Sequence, residues 1–315
     1  MKKITLLAIL AVFAISLFFI SCSNSSKNSS NTPSLNLGVM SSMDYLPLAV
    51  AQREGYFEKV GLNIKLHKFY SANDRDAAFQ SENIDGCIID YTGAILQKAG
   101  GIDLKLTSKC DAPFYIVASN QSNINTLSDL RGKQIAVSKN TVIDFITDMA
   151  LNSAGLTDSD VKKVEINKIP VRFEMLRNNK INATGLPNPF ALMAQSAGDK
   201  ILTSNDSLGF SITGIVFHQK AIADKSALIT KMYEAYNMGV EYLKNHSAED
   251  VKDILTKELG FPEEIIIKTQ LPDYSPAKLP ADKDIIATID WLKNKGLIKS
   301  GFEQASSLDA QFIKK

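Results

Sequence analysis

From Leu35 onward the chain alternates short apolar runs with stretches whose apolar residues recur at helical spacing. Leu35–Met40 reads as a strand. Ser41 to Asp44 supply cap residues, and Pro47 falls in the first turn of a helix that runs to about Arg53. Leu62–Phe69 alternates apolar and polar positions as a strand does. Ser71 to Asp74 caps a second helix, Asp85–Asp90 is a third strand, and Tyr91–Gly100 is a third helix. This strand–helix alternation predicts a parallel sheet with helices packed on its faces.

The pattern then returns. Gln134–Ser138 is a strand. Asn140 and Thr141 cap a helix whose apolar positions are Val142, Phe145, Ile146, Met149 and Ala150, and Gly155 stops it. Val164–Ile169 is a strand, Pro170 opens the next helix, and Asn182–Leu186 is a strand followed by Pro187-Asn188-Pro189 and another helix. The stretch ENIDGCIIDYTGAIL from Glu82 echoes NKINATGLPNPFALM from Asn179, and VGL at Val60 echoes AGL at Ala154. No solenoid period of roughly 20–50 residues is present. Two similar units predict two similar α/β lobes. The apolar runs Phe114–Ala118 and Gly214–His218 read as two extended connectors between them. Leu228 to Leu243 and Ile285 to Leu292 each form a helical face. One lobe is expected over 35–118 plus 219–315, the other over 119–218.

The first 34 residues follow a different rule. Met1-Lys2-Lys3 is a short basic segment, Ile4–Ile20 is almost wholly apolar, and Ser21-Cys22 follows. This is the layout of a secretory signal peptide over 1–21. Phe19-Ile20-Ser21-Cys22 resembles a bacterial lipobox, which implies lipidation at Cys22. An uncleaved membrane anchor is the other reading, and either one places the body outside the cytoplasm. Residues 22–34 are then the lipidated cysteine and a Ser/Asn-rich spacer that has no apolar surface to bury.

Composition narrows the classes. With 315 residues, 45% hydrophobic and 22% charged, the chain has material for about two domains with a real core. A net charge of +1 without a basic stripe argues against nucleic acid as a partner. Of the three cysteines, Cys87 and Cys110 remain beside Cys22. Their spacing matches no metal site, and a Cys87–Cys110 disulfide on neighbouring strands stays open. No nucleophile elbow, phosphate loop or zinc-protease motif is present, so no catalytic residue, metal or cofactor is expected.

In open α/β sheets ligands sit beyond the carboxyl ends of strands, at helix N-termini. The candidate ligand contacts are therefore Ser42, Asp44, Tyr45, Ser71, Asp90 and Tyr91 from the first unit, and Asn140, Thr141, Arg172 and Asn188 from the second. Most also have a plain structural role open to them: the serines, Asn140 and Thr141 as helix caps, Asp44 as a helix-dipole partner, the tyrosines as core residues, Arg172 as a partner of Glu174 or of a neighbouring lobe residue. Asp90 ends an apolar strand, where a carboxylate is costly unless used.

Four stretches carry a resemblance. Tyr45–Leu62 (YLPLAVAQREGYFEKVGL), IDGCIIDYTGAI from Ile84, LRGKQIAVS from Leu130 and ADKDIIATIDWLKNKGLI from Ala281 resemble the nitrate/sulfonate/taurine and thiamine-precursor class of ABC-transporter substrate-binding proteins, over essentially Leu35 to Ile298. The resemblance implies a type II periplasmic-binding-protein fold: two parallel-sheet lobes on a two-segment hinge, closing on a small molecule. It implies a membrane permease as partner; the lipobox-like segment adds a lipid anchor, and a monomer is expected because no long apolar helix is left over for association. Asp44, Asp90 and the tyrosines fit a planar nitrogen-bearing ring, such as a pyrimidine thiamine precursor, better than a small inorganic anion; a sulfonate is the other candidate. Two alternatives stand. One is an enzyme like a fungal pyrimidine-precursor synthase, whose chemistry uses histidine and a cysteine-rich segment, whereas this chain has only His67, His218 and His246 and no cysteine cluster. The other is a ligand-sensing surface lipoprotein without a transporter.

Overall fold

Strand β1 (Leu35–Met40) starts the body, with Leu35, Leu37 and Val39 fully buried. The computed structural model describes residues 33–303 and 307–313. The expected signal peptide, Cys22 and all of the spacer but its last two residues lie outside the described residues. No described helix is long and apolar enough to cross a membrane.

The first half runs β1, α1 (Leu46–Arg53), β2 (Ile64–Phe69), α2 (Ala72–Gln80), β3 (Gly86–Asp90), α3 (Tyr91–Ala99) and β4 (Leu104–Cys110). Strand β5 (Phe114–Ala118) follows, then β6 (Gln134–Val137), α4 (Val142–Ser153), β7 (Lys162–Glu165), α5 (Ile169–Arg177), β8 (Ala183–Pro187), α6 (Phe190–Ser196), β9 (Lys200–Ser204) and β10 (Thr213–His218). The C-terminal part holds α7 (Ser226–Lys244) and α8 (Asp282–Asn294) among shorter turns.

These strands form two five-stranded sheets, in the orders β2-β1-β3-β10-β4 and β7-β6-β8-β5-β9. The orders are the same design used twice. In each sheet the first three strands run parallel, as in Leu37 opposite Leu66 and Ala136 opposite Val164. The fourth runs antiparallel to both its neighbours. The sheets are thus mixed, not purely parallel as the alternation alone suggested.

The antiparallel strand in each sheet is one of the two expected connectors. Phe114–Ala118 is interior to the second sheet and Thr213–His218 to the first, and Ile116, Val117, Ile215 and Val216 are almost fully buried. The chain therefore changes sheet at 111–113 and 205–212, a few residues earlier than 118 and 218. The reason is visible in the runs themselves: a strand buried on both faces is apolar at every position, which also suits it to the middle of a sheet.

Caps fix where the helices start. Ser71 accepts a hydrogen bond from Asp74 N (3.4 Å), and Thr141 accepts one from Ile143 N (3.2 Å). Helix α7 covers α1 closely: a Cβ at Gly239 would lie 2.2 Å from the Pro47 carbonyl oxygen. Cys87 and Cys110 are both buried free thiols, so the disulfide left open by the sequence is absent. His67 Nε2 meets Asn36 Oδ1 (3.1 Å), and His218 Nε2 meets the Phe79 carbonyl (2.7 Å), both structural roles.

Candidate functional site

The carboxyl ends of β1, β3, β6 and β8 converge on one small cavity, lined by residues of both sheets. From the first come Met40, Ser42, Asp44, Ala72, Arg75, Ile88 and Asp90. From the second come Phe114, Ser138, Thr141, Val142, Ile143, Asn167, Ile169, Arg172 and Pro187. It encloses about 30 Å³, room for about two waters. A larger, open hollow of about 570 Å³ lies along the chain crossings and holds Lys109, Asp111, Asp206 and Lys283. The smaller cavity is the candidate site because the carboxyl ends of parallel strands and the starts of helices from both sheets line it.

The electrostatics rest on four buried charges. Asp90 stands at the N-terminus of α3 but does not cap it. Its Oδ1 pairs with Arg75 Nη1 at 3.2 Å, and its Oδ2 accepts a hydrogen bond from Val142 N at 3.1 Å. Val142 is the first residue of α4, so a carboxylate of the first sheet occupies the positive end of a helix of the second. Arg75 is 1% exposed and also pairs with Asp76 at 2.8 Å; these two carboxylates hold its guanidinium well above its ordinary pKa against the cost of burial.

Asp44 and Arg172 lack such partners. Asp44 is 3% exposed and accepts a hydrogen bond from Ser42 Oγ, with no cation at ion-pair distance among the described residues. Burial is the main reason its carboxyl is pushed up from 3.8 to about 6; the Ser42 bond opposes this and the Asp90 charge adds to it. Arg172 is 1% exposed and donates to three backbone carbonyls: Gly185 (3.3 Å), Ile166 (2.9 Å) and Asn167 (3.1 Å). No carboxylate reaches ion-pair distance of it among the described residues, and burial lowers its pKa to about 10. It stays protonated at neutral pH. Arg172 does not pair with Glu174.

The structure thus brings together five of the ten candidate contacts: Ser42, Asp44, Asp90, Thr141 and Arg172. Ser71 caps α2 one residue from the lining Ala72. Tyr45 and Tyr91 are buried in the core, and the Tyr91 hydroxyl meets Ser211 Oγ at 3.2 Å. Asn140 is exposed, with φ of 63°, and its N–H goes to Asp144. Asn188 is buried just past the lining Pro187. A helix entry turns by about 100° per residue, so neighbours in sequence face different ways and only some reach the cleft. Arg75 was missed, although it stands one position beyond the Ser71–Asp74 cap; a basic residue in the first turn of a helix, where the dipole disfavours it, was the available signal.

Helices α8 and α4 also touch beyond the cavity. Trp291 on α8 donates from Nε1 to Asp148 Oδ2 on α4 at 2.8 Å, and its ring meets Phe145 edge-on at 5.6 Å. Lys295 Nζ lies 2.8 Å from both Asp148 and Asp158.

Residues 42–250 match the family model described as NMT1/THI5 like, which takes in every cavity-lining residue but Met40. The chain belongs to the NMT1/THI5-like family. Among similar proteins of this kind, a Bacillus subtilis protein described as a putative aliphatic sulfonates-binding protein is 23% identical over 302 residues, covering 89% of this chain and 87% of that one. A putative thiamine biosynthesis protein of Haemophilus influenzae is 25% identical over 277 residues, covering 81% and 84%. Of solved structures, the alkanesulfonate-binding protein SsuA from Xanthomonas axonopodis pv. citri, bound to MOPS, superposes with a TM-score of 0.72 at 19% identity, over 85% of this chain and 94% of that one. The periplasmic nitrate-binding protein NrtA from Synechocystis gives 0.71 at 12% identity, over 85% and 83%. At those identities the structures establish the fold: two α/β lobes of the periplasmic-binding-protein kind.

Proposed function

We propose that this NMT1/THI5-like protein is the extracytoplasmic, lipid-anchored substrate-binding component of an ABC importer, with a lobe of about 35–110 plus 213–315 and a lobe of about 114–204. The observation that carries the reading is the shared cavity, built from the strand ends of both sheets and bridged by the Asp90–Val142 hydrogen bond. A ligand touching both lobes binds the closed state better than the open one, so it shifts the population toward closure. A permease then reads the closed shape. The names of the sulfonate- and nitrate-binding relatives support this class of function.

On ligand chemistry, Asp90 already fills the α4 N-terminus where a small anion would bind. That favours a nitrogen-bearing ligand, with a pyrimidine thiamine precursor ahead of a simple sulfonate. Native mass spectrometry of protein purified from its host tests the reading by finding a retained small molecule. A thermal-shift panel of pyrimidines, sulfonates, flavins and amino-acid-like compounds follows; a ligand at 100 times its Kd adds about 2.7 kcal/mol. Absence of any retained molecule and of any shift across the panel would sink the proposal. The desulfurization enzyme DSZB shares the fold at a TM-score of 0.63, so turnover of any compound that binds belongs in the same assay. Globomycin-sensitive processing and loss of membrane association in Cys22→Ala test the anchor.

A further inference from the structure

At about 30 Å³ the cavity is far below the roughly 150 Å³ void that accepts a benzene ring. Any organic ligand therefore needs the two sheets to stand further apart than they do here. Much of what resists that separation sits on one helix. The first turn of α4 lines the cavity with Val142 and Ile143 and receives Asp90 at the Val142 N–H (3.1 Å). Its next turns carry Phe145 and Asp148, which meet Trp291 of α8, and α8 packs on α3 of the first half. Charge explains why α8 is drawn there. Asp144, Asp148 and Asp158 all pair with Lys163 of β7, and with no other cation of the second half among the described residues. One lysine against three carboxylates leaves two negative charges over. Asp144 and Asp148 are nine-tenths buried or more, where an uncompensated carboxylate is costly. Lys295, just past α8, brings a second cation: its Nζ lies 2.8 Å from Asp148 and Asp158 and 3.9 Å from Asp144. Burial pushes the Asp158 carboxyl up, yet the two lysines hold it below its ordinary range.

We propose that the end of α8 is an autoinhibitory latch: Trp291 and Lys295 dock on the acidic face of α4 and hold the clamp in a shut form that excludes ligand, so a small molecule enters only when this contact opens. This rests on the substrate-binding reading above, in which α8 and α4 belong to different lobes, and adds a gate to it. The ligand-bound clamp then closes less far than the shut form. The latch lowers apparent affinity by limiting the fraction of molecules able to bind. Trp291 and Asp148 are buried at the contact, whereas the Lys295 side chain is 24% exposed. Salt therefore weakens the lysine pairs first, since the screening length falls from about 10 Å at 0.1 M to about 3 Å at 1 M.

The test measures access to the cavity and does not depend on knowing the ligand. Ala72 lines the cavity and is buried, so Ala72→Cys places a thiol on its wall. The full chain with this change is treated with iodoacetamide, and peptide mass spectrometry follows alkylation at that position apart from Cys22, Cys87 and Cys110. Labelling is expected to be slow. Adding Lys295→Glu, which sets a like charge against Asp148 and Asp158, is expected to speed it about tenfold. Lys295→Ala should act in the same direction by less, and it serves if the charge reversal unfolds the protein. Lys299→Glu makes the same charge change at an exposed position beyond the latch and should leave the rate unchanged. Asp158→Lys added to Lys295→Glu restores an opposite pair and should return most of the slow rate. Salt near 1 M should speed labelling of Ala72→Cys alone and change it little once Lys295→Ala is present. Labelling as fast in Ala72→Cys alone as with Lys295→Ala and Lys295→Glu overturns the proposal, as does equal acceleration by Lys299→Glu. If that happens while native mass spectrometry finds a retained molecule, the latch falls and the substrate-binding reading stands. Faster labelling on latch release, in a protein that retains and binds nothing, removes the substrate-binding reading and leaves the contact as a gate on the cavity.

Discussion

Asp44→Asn should make the protein more stable at alkaline pH, and the gain should vanish on acidification. Holding this carboxyl at about 6 instead of 3.8 costs the ionised folded protein about 3 kcal/mol. The sign follows from proton binding. The folded carboxyl titrates above the unfolded one, so between pH 3.8 and about 6 the folded state holds the extra proton. Asp44's contribution to stability therefore falls as pH rises through that window and reaches its full cost above it. Asparagine keeps an acceptor for Ser42 Oγ and removes the charge, but it brings an amide donor that must find a partner, which returns about 1–2 kcal/mol of the gain. The net expectation at pH 8 is a stabilisation of about 1–2 kcal/mol, or roughly 2–8 °C in melting temperature for a body of this size. At pH 4 the wild-type carboxyl is mostly neutral, so the two proteins should melt together or with the variant slightly lower. Differential scanning calorimetry of both proteins at half-unit steps from pH 4 to pH 8 measures the difference directly, and other titrating groups cancel in it. A difference that stays flat with pH, or a variant less stable at pH 8 than at pH 4 relative to wild type, would refute the assignment of Asp44 as a buried, uncompensated acid. The same variant is expected to lose ligand affinity, so stability and binding should move in opposite directions, as they do where a strained group is kept for function.

Trp291, the sole tryptophan of the chain, reports lobe contact. Lys295→Ala removes the bonds to Asp148 and Asp158, should weaken the closed state by about 1–2 kcal/mol, and should raise acrylamide quenching of Trp291; unchanged quenching at low and high salt would show that the lobes do not part at this contact. Arg75→Met leaves the half-buried Asp76 and the buried Asp90 without their cation and should cost about 3–5 kcal/mol in urea unfolding, a loss that Asp90→Asn in the same chain should partly restore. Gly239→Val drives side-chain atoms into the Pro47 carbonyl and should destabilise by at least about 1–3 kcal/mol, read as a lower urea midpoint with an unchanged slope.

How much of this was legible beforehand depends on whether the signal was local. The strands at Leu35–Met40 and Gln134–Val137, the caps at Ser71 and Thr141 and the helix from Val142 were all readable, because period and capping are set within one or two turns of chain. The strand expected at Val164–Ile169 lies instead at Lys162–Glu165; Pro170 stands in the first turn of α5 as expected, and Ile169 already belongs to that helix. Strands β4 and β9 escaped notice: LKLTSKC and KILTS mix polar and apolar residues without clean alternation, as strands at a sheet edge do.

By itself the sequence determined that there would be two α/β units, where most of their strands and helices would begin, and that carboxylates and an arginine would stand at helix entries. Only the tertiary structure decided that Phe114–Ala118 and Thr213–His218 each enter the sheet as its antiparallel member, and that Asp90 reaches past its own helix to the start of α4. The difference is physical. Local patterns are enforced by backbone geometry over a few residues. Pairing between segments some 50 to 130 residues apart is settled by which apolar faces and which buried charges remain to be satisfied once the pieces meet.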